Sequence, residues 1–304
     1  MFEKTVILMV CLLSIACGKE LRVEVVDEDG KPVENAQVIV SYVSAGPADR
    51  VKGKTNKKGV FISQGDAPSM RIELEITKDG YYKSRFQHKY GNALPKDTEG
   101  TYKLILRKIN NPVPMFAKAV DVLLPSLKQE YGFDFEVGDL VEPHGRGVHS
   151  DVYFWIDKSV RSVFDYEISL KVRFPEEMNG ILVDKTRIPG SVYLSASKAD
   201  KDALYKSTLD FYRSRGKQGK MGGLSKNNYI FRVRSEIMES SAIQSNYGRI
   251  VGGINAVSAV DKPGKAAVRF AYYFNPKTDS ISLEFKRKAN LFKNLKRMEH
   301  IIHP

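Results

Sequence analysis

Cysteine is almost absent from this sequence, and both cysteines lie within the first seventeen residues. Cys11 is inside an apolar run, and Cys17 stands at its end. The rest of the chain has no thiol, which excludes internal disulfides, thiolate metal sites and cysteine nucleophiles from the folded body. We expect no metal site and no cofactor from the remaining residues.

Long apolar runs are also lacking beyond the N-terminus, because charges interrupt each run before the roughly 20 residues that a spanning helix needs. At the N-terminus, Lys4 precedes an apolar run over residues 6–16, which is typical of a signal peptide. Residues 13–17 resemble a bacterial lipobox, so residues 1–17 are predicted to be a signal peptide with Cys17 as the lipid-attachment residue. The alternatives are ordinary cleavage near residue 17, which would give a secreted protein, and a buried N-terminal strand. The expected location is the outer membrane, periplasm or cell surface.

Acidic residues are outnumbered, with 36 Asp and Glu against 48 Lys and Arg, and the net charge is +12. A basic surface favours polyanions. For an exported protein these are anionic glycans and lipid headgroups. An envelope protein is another possible partner, and we expect no nucleic-acid partner. The alternative is a positive charge spread evenly over a solvated surface.

The segment over residues 20–109 has the pattern of short strands. Apolar and polar side chains alternate over residues 21–25, 36–40, 72–76 and 102–106, and turn residues occupy 27–30, 55–59 and 78–81. Short alternating strands separated by turns predict an antiparallel β-sandwich.

This first segment resembles the carboxypeptidase regulatory-like domain, a transthyretin-like seven-stranded sandwich. The resemblance rests on residues 26–30, Pro32, Val33, Ala36, Val38, Thr55, Gly59, Phe61, Gly80 and Tyr81. It implies a spacer, stabilising or binding role rather than catalysis. The peptidases that carry this domain use a His-x-x-Glu zinc pair, which this sequence does not contain.

The rest of the chain, residues 115–304, follows a proline-containing linker at 110–114 and is predicted to be a larger antiparallel β-domain. Residues 152–156 are apolar throughout and predict a buried strand, whereas residues 229–237 alternate, with Arg232, Arg234 and Glu236 on a polar face. Residues 268–274 and 281–285 suggest a hairpin, and residues 291–298 a short C-terminal helix. Through residues 111–115, 132–134, 138–139, 228–234, 247–248, 273–276 and 290–292, this region resembles uncharacterised exported bacterial proteins that carry a regulatory-like domain. The fold class is therefore all-β.

The loop over residues 139–151 has the most polar chemistry. His144, His149 and Asp151 could ligate zinc or act as an acid–base pair. The alternative is a glycine-containing connection that is polar because it lies in water. We expect a solvated connection without a metal site.

Three other features suggest binding. Lys217 and Lys220 lie in a glycine-rich stretch that does not have the residue order of a phosphate-binding loop. These lysines could contact a polyanion, or the stretch could be a surface loop without a ligand. Trp155 beside Tyr153 could form a sugar-stacking platform or belong to the core. Six cations between residues 286 and 297 could touch anionic headgroups or be solvated.

The sequence thus predicts an exported, lipid-anchored accessory protein that binds a glycan or polyanion. A hydrolase of extracellular polymers and a structural partner in an envelope complex are the alternatives, and we expect binding rather than catalysis.

Overall fold

The protein is described from a computed structural model, which covers residues 20–43, 48–65, 71–88, 101–162, 164–186, 188–216, 221–222, 227–239, 243–258 and 264–301. The regular secondary structure of the described residues is β-strand apart from one 3-10 turn, as the all-β prediction requires. It divides into two compact units. The first contains the described residues up to Lys108 with Pro189–Ser191, and the second contains Ile109–Ile188 and the described residues from Val192 onward. In this described part there is no helix of the length and hydropathy that a bilayer crossing needs.

The strands of the first unit are β1 (Glu20–Val26), β2 (Gln37–Val43), β3 (Asp49–Lys54), β4 (Val60–Gln64), β5 (Arg71–Thr77), β6 (Tyr81–Tyr82), β7 (Ser84–His88), β8 (Thr101–Ile105) and β9 (Arg107–Lys108). They form a three-stranded sheet β4-β1-β8, a four-stranded sheet β3-β2-β5-β7 and the pair β6-β9. The inward side chains of both larger sheets make one apolar core. Pairing is antiparallel except for β1 with β8, which are parallel and far enough apart in sequence for the crossover that parallel strands need.

Thr55 connects two backbone segments inside this core. Its hydroxyl donates to the carbonyl of Val33 (2.6 Å) and accepts from the amide of Ala36 (2.9 Å), and the residue is 2% exposed. Thr55→Val keeps the shape of the side chain but removes the hydrogen-bond partner of the Val33 carbonyl and the Ala36 amide.

We expect Thr55→Val to lower the free energy of unfolding of the first unit by about 1–3 kcal/mol. Urea unfolding followed by circular dichroism measures this loss. The half-buried Thr77→Val is the control; equal losses in both variants would contradict the role given to Thr55.

The second unit contains β10 (Val113–Leu124), β11 (Glu130–Asp134), β12 (Asp139–Leu140), β13 (Val152–Ser162), β14 (Asp165–Arg173), β15 (Gly180–Asp184), β16 (Thr208–Arg215), β17 (Met221–Gly222), β18 (Asn228–Ile237), β19 (Ile243–Ser258), β20 (Ala266–Asn275) and β21 (Phe285–Asn290). Two six-stranded sheets, β15-β18-β19-β20-β10-β21 and β12-β11-β13-β14-β16-β17, enclose a core rich in aromatic rings. Phe135 and Phe231 are stacked in it, with ring centroids 4.3 Å apart.

The first of these sheets is also covered on its other side, so the polar face predicted for residues 229–237 is wrong for Arg232. Arg232 is 8% exposed, and its guanidinium donates to the carbonyls of Met178 and Lys201. Arg249 is 1% exposed and lies between the rings of Tyr193 and Tyr273. Stacking on aromatic rings compensates part of the cost of burying such a cation.

The C-terminal segment differs from two expectations. Strand β21 pairs with β10 in parallel and not with β20, so the predicted hairpin does not form. The predicted helix is a single 3-10 turn over Arg297–Glu299, and Met298 is 86% exposed rather than packed on the sheet. Asn290 explains part of this, because its side chain accepts from the amide of Ala117 (3.2 Å) and donates to its carbonyl (2.8 Å).

Candidate functional site

Aromatic side chains stand on the outer face of the sheet that contains β13, β14 and β16. Side chains of a strand alternate between the two faces of its sheet. Tyr153 and Trp155 are half-buried on the outer face of β13, and Tyr212, on the same face of β16, is 52% exposed. The alternate residues of β13 are buried in the core: Val152, Phe154 and Ile156. Residues 152–156 are therefore buried on one face only.

Two cations lie over these rings. Lys171 is paired across the strands with Trp155, and its Nζ lies 5.0 Å from the centroid of the Trp155 ring. Arg173 is paired with Tyr153, and its guanidinium carbon lies 4.5 Å from that ring. We call Tyr153, Trp155, Lys171, Arg173, Asp210 and Tyr212 the aromatic face.

The charges on and beside the aromatic face compensate one another. Arg173 donates two hydrogen bonds to Glu130, at 2.9 and 2.5 Å, and these bonds hold the pKa of Glu130 below its usual value. The exposed Asp210 is the cross-strand partner of Lys171. This surface does not carry the excess positive charge of the chain, so it is not suited to attract polyanions by charge alone.

The spacing of the rings suits an extended ligand. Trp155 and Tyr212 are separated by two strand spacings and one two-residue step along the strand, which places their Cα atoms about 12 Å apart. Hydrogen-bonding groups of Lys171, Arg173 and Asp210 lie among the rings. Such a surface can take the flat C–H faces of several sugar rings and bond their hydroxyls.

The loop over residues 139–151 ends at a buried charge cluster. The side chains of Asp134 and Asp151 are each 1% exposed. Arg234 donates to both oxygens of Asp151 (2.8 and 3.1 Å), to Asp134 (3.2 Å) and to the half-exposed Glu136 (2.5 Å). One guanidinium therefore compensates two buried carboxylates and a third at the surface.

Arg234 reaches these partners from an irregular point of its strand. The register of β18 with β19 shifts between Val233 and Glu236, and Arg234 has a φ of 52°, a left-handed conformation that non-glycine residues rarely adopt. Bulges of this kind redirect a side chain. Here the bulge directs Arg234 to the carboxylates.

The two buried carboxylates ionise differently. Burial raises the pKa of Asp151 above its usual value, although Arg234 opposes the shift. Burial acts in the same direction on Asp134, but amides of His149, Val148, Val137 and Glu136 donate to it, and its pKa is lowered. Asp134 fixes the loop, and its four amide contacts are those of a structural carboxylate.

The two candidate histidines are exposed, and their described hydrogen bonds involve the backbone. The His149 amide donates to Asp134, and the His144 amide donates to the carbonyl of Val141. The His144 ring packs edge-on against Tyr131, with centroids 4.9 Å apart. Asp151, the third candidate, is held by Arg234. Among the described residues, no three His, Cys, Asp or Glu side chains are placed to hold a metal ion.

The other candidates divide into two groups. One group lies outside the described residues: Cys17 with the predicted signal peptide, Lys217 and Lys220. Trp155 lies on the aromatic face. Tyr212 and Arg234 were not among the sequence candidates: the period-two pattern of β16 could have placed Tyr212 on the face of Trp155, but no sequence signal indicates the bulge that directs Arg234.

Comparisons with known proteins show limited similarity. A family of unknown function, DUF7382, matches residues 15–62. No curated protein matches the chain. A 3-chlorocatechol 1,2-dioxygenase from Rhodococcus opacus 1CP is 18% identical with a TM-score of 0.23; the match covers 30% of this chain and 61% of the dioxygenase, less than two thirds of its length.

Two further structures are similar over more of the chain. The shaft pilin SpaA from Lactobacillus rhamnosus GG is 11% identical, with 71% of this chain and 86% of the pilin covered and a TM-score of 0.23. A DUF3823 family protein from Parabacteroides merdae ATCC 43184 is 10% identical, with 84% and 98% covered and a TM-score of 0.21. At these TM-scores none of the three bears on function.

Proposed function

We propose that this protein is an exported, lipid-anchored accessory protein of the cell envelope whose second unit binds glycan through the aromatic face. The observation that carries this proposal is the position of Trp155 and Tyr153, which belong to an apolar strand yet stand outside the core. Burying such rings in the core would stabilise the fold, so their outward position favours a contact with a ligand. In this proposal the first unit is a carboxypeptidase regulatory-like sandwich over residues 20–109 that acts as a spacer, followed by a domain over residues 115–304.

The charge balance of the aromatic face favours a neutral glycan. Glu130 and Asp210 offset Arg173 and Lys171, which leaves acceptors and donors for sugar hydroxyls but little net charge. Lys171 covers the Trp155 ring, but it is an exposed side chain. Moving it aside costs at most the roughly 0.5–1 kcal/mol of a solvated cation–π contact.

The test is a binding screen of the full-length protein and its Trp155→Ala variant against a neutral β-glucan, a mannan and an acidic polygalacturonate. We expect binding to a neutral polymer that persists at high salt. Trp155→Ala should weaken it by about 2 kcal/mol, or roughly 30-fold, as for an aromatic residue at the centre of a binding surface.

The control variant is Phe164→Ala, which removes a 56% exposed ring beyond the aromatic face, next to the end of β13. It should bind like the unchanged protein. Three results would contradict the proposal: no binding to any polymer, equal loss in both variants, or binding only to polygalacturonate that disappears at high salt.

A further inference from the structure

The C-terminal segment from Phe285 to Ile301 is fixed to the second unit by its inward side chains. Phe285 is buried against the Tyr273 ring, and the Phe292 ring lies 5.0 Å from that of Phe116. Glu299 forms an ion pair with Lys118 at 3.0 Å, and Ile301 packs on a small apolar cluster beside β10. These contacts hold the segment in a defined position on the second unit.

The outward side chains of this segment are basic. The segment contains six cations and one acidic residue, Glu299, which is already paired. None of the six forms an ion pair with the residues that the structure describes, and all six are exposed: Lys286, Arg287, Lys288, Lys293, Lys296 and Arg297. We call these six side chains the basic edge.

The pairing of β21 concentrates this charge. Val113 is paired with Phe285 and Met115 with Asn290, so four residues of β21 bulge out opposite a single residue of β10. The segment then continues beside β10, since the amide of Leu291 donates to Met115 and Glu299 reaches Lys118. The contacts of this segment with β10 thus span only residues 113–118, about 17 Å of strand.

An exposed apolar side chain lies within the basic edge. Met298 follows Arg297 in the 3-10 turn and is 86% exposed. Cations around a protruding apolar side chain fit a bilayer surface, where headgroups attract the cations and the acyl boundary accepts the apolar group. A soluble polyanion would use the cations but not Met298.

We propose that the basic edge is a contact surface for membranes with anionic lipid headgroups, separate from the aromatic face and independent of glycan binding. Within a Debye length of such a surface each cation strengthens attachment. The contact would orient the second unit on the membrane without a spanning segment.

The test is sedimentation of the full-length protein carrying Cys17→Ser, which removes the predicted acylation site so that no acyl chain contributes, with vesicles of phosphatidylglycerol and phosphatidylethanolamine, compared with vesicles of phosphatidylcholine. We expect preferential binding to the anionic vesicles that weakens with salt. The variant Lys286→Gln, Arg287→Gln, Lys288→Gln should lose about a hundredfold in affinity for them, because each cation near such a surface contributes about fivefold.

The matched control is Arg50→Gln, Lys52→Gln, Lys54→Gln, which removes three exposed cations of β3 and changes the net charge equally. The affinity of this control variant for the anionic vesicles should change less than about threefold. Met298→Ser should weaken vesicle binding but leave retention on immobilised heparin unchanged. Three results would overturn the proposal. These are equal binding to both vesicle types, equal loss of affinity in the two triple variants, and binding to heparin without binding to anionic vesicles.

Discussion

Replacing Arg234 by methionine is expected to lower the free energy of unfolding of the second unit by about 3–5 kcal/mol, the cost of leaving buried charge uncompensated. Methionine keeps much of the side-chain stem, so the loss reports the charge rather than the packing. Asp134 and Asp151 would remain in the protein interior, each with a side chain that is 1% exposed. The chain's single tryptophan is Trp155 of the second unit, and its fluorescence during urea unfolding gives the midpoint for that unit.

The control for Arg234 is Arg173→Met, which removes a similar bidentate pair at the surface. The side chains of Arg173 and Glu130 are 39% and 43% exposed, so this pair should contribute about 0–1 kcal/mol. If Arg173→Met destabilised the second unit as much as Arg234→Met, burial would not be the cause of the effect.

Lowering the pH should separate the charge effect from any change in packing. Without the guanidinium, the pKa of Asp151, which burial already raises, should rise further above its unfolded value. A group whose pKa is raised in the folded state contributes stability at low pH that is lost as the pH rises through the folded pKa. The destabilisation by Arg234→Met should therefore be smaller near pH 5 than near pH 8; an equal loss at both would indicate a packing defect.

Much of the fold follows from the period-two pattern of the sequence. Strand β14 alternates without interruption from Tyr166 to Val172, and the structure buries these alternate residues against the core. The same pattern in β18 misleads at Arg232, because the sheet is covered on both sides. A strand pattern shows which residues share a face, but it cannot show that a loop from elsewhere in the chain covers the polar face.

Aromatic residues limit how far the sequence predicts the aromatic face. Residues 152–156 are uniformly apolar by composition, and the sequence therefore predicts burial on both faces. Tyr153 and Trp155 can lie at a solvent-exposed surface because each has a polar atom and an aromatic ring that forms a cation–π contact. Cross-strand register, which no local pattern contains, brings Lys171 and Arg173 to them.

The Arg234 cluster could not be predicted for a similar reason. Asp134, Asp151 and Arg234 are up to 100 residues apart in sequence. They meet because a bulge gives Arg234 a φ that its residue type does not favour. The sequence identified the loop as rich in charge, but whether a carboxylate is available for chemistry or already compensated depends on such long-range contacts.

Phe135→Ala is expected to lower the free energy of unfolding of the second unit by about 3–5 kcal/mol, as for other fully buried phenylalanines. Phe135 is 1% exposed in the turn after β11, with its ring stacked on Phe231 and 5.0 Å from that of Tyr272. Its carbonyl accepts from the Tyr272 hydroxyl at 2.6 Å, and its amide donates to Asp151 at 2.8 Å. Alanine keeps both backbone bonds, so the loss measures the cavity.

Phe164→Ala supplies the matched control, since it removes the same ring from a 56% exposed position and should change stability by no more than about 0.5 kcal/mol. Trp155 fluorescence in urea compares the two variants within one unit. A loss below about 1 kcal/mol for Phe135→Ala would mean that its ring does not lie between the two sheets. Because the same residue also bonds Asp151, combining Phe135→Ala with Arg234→Met should give a loss that differs from the sum of the two, as neighbouring sites do.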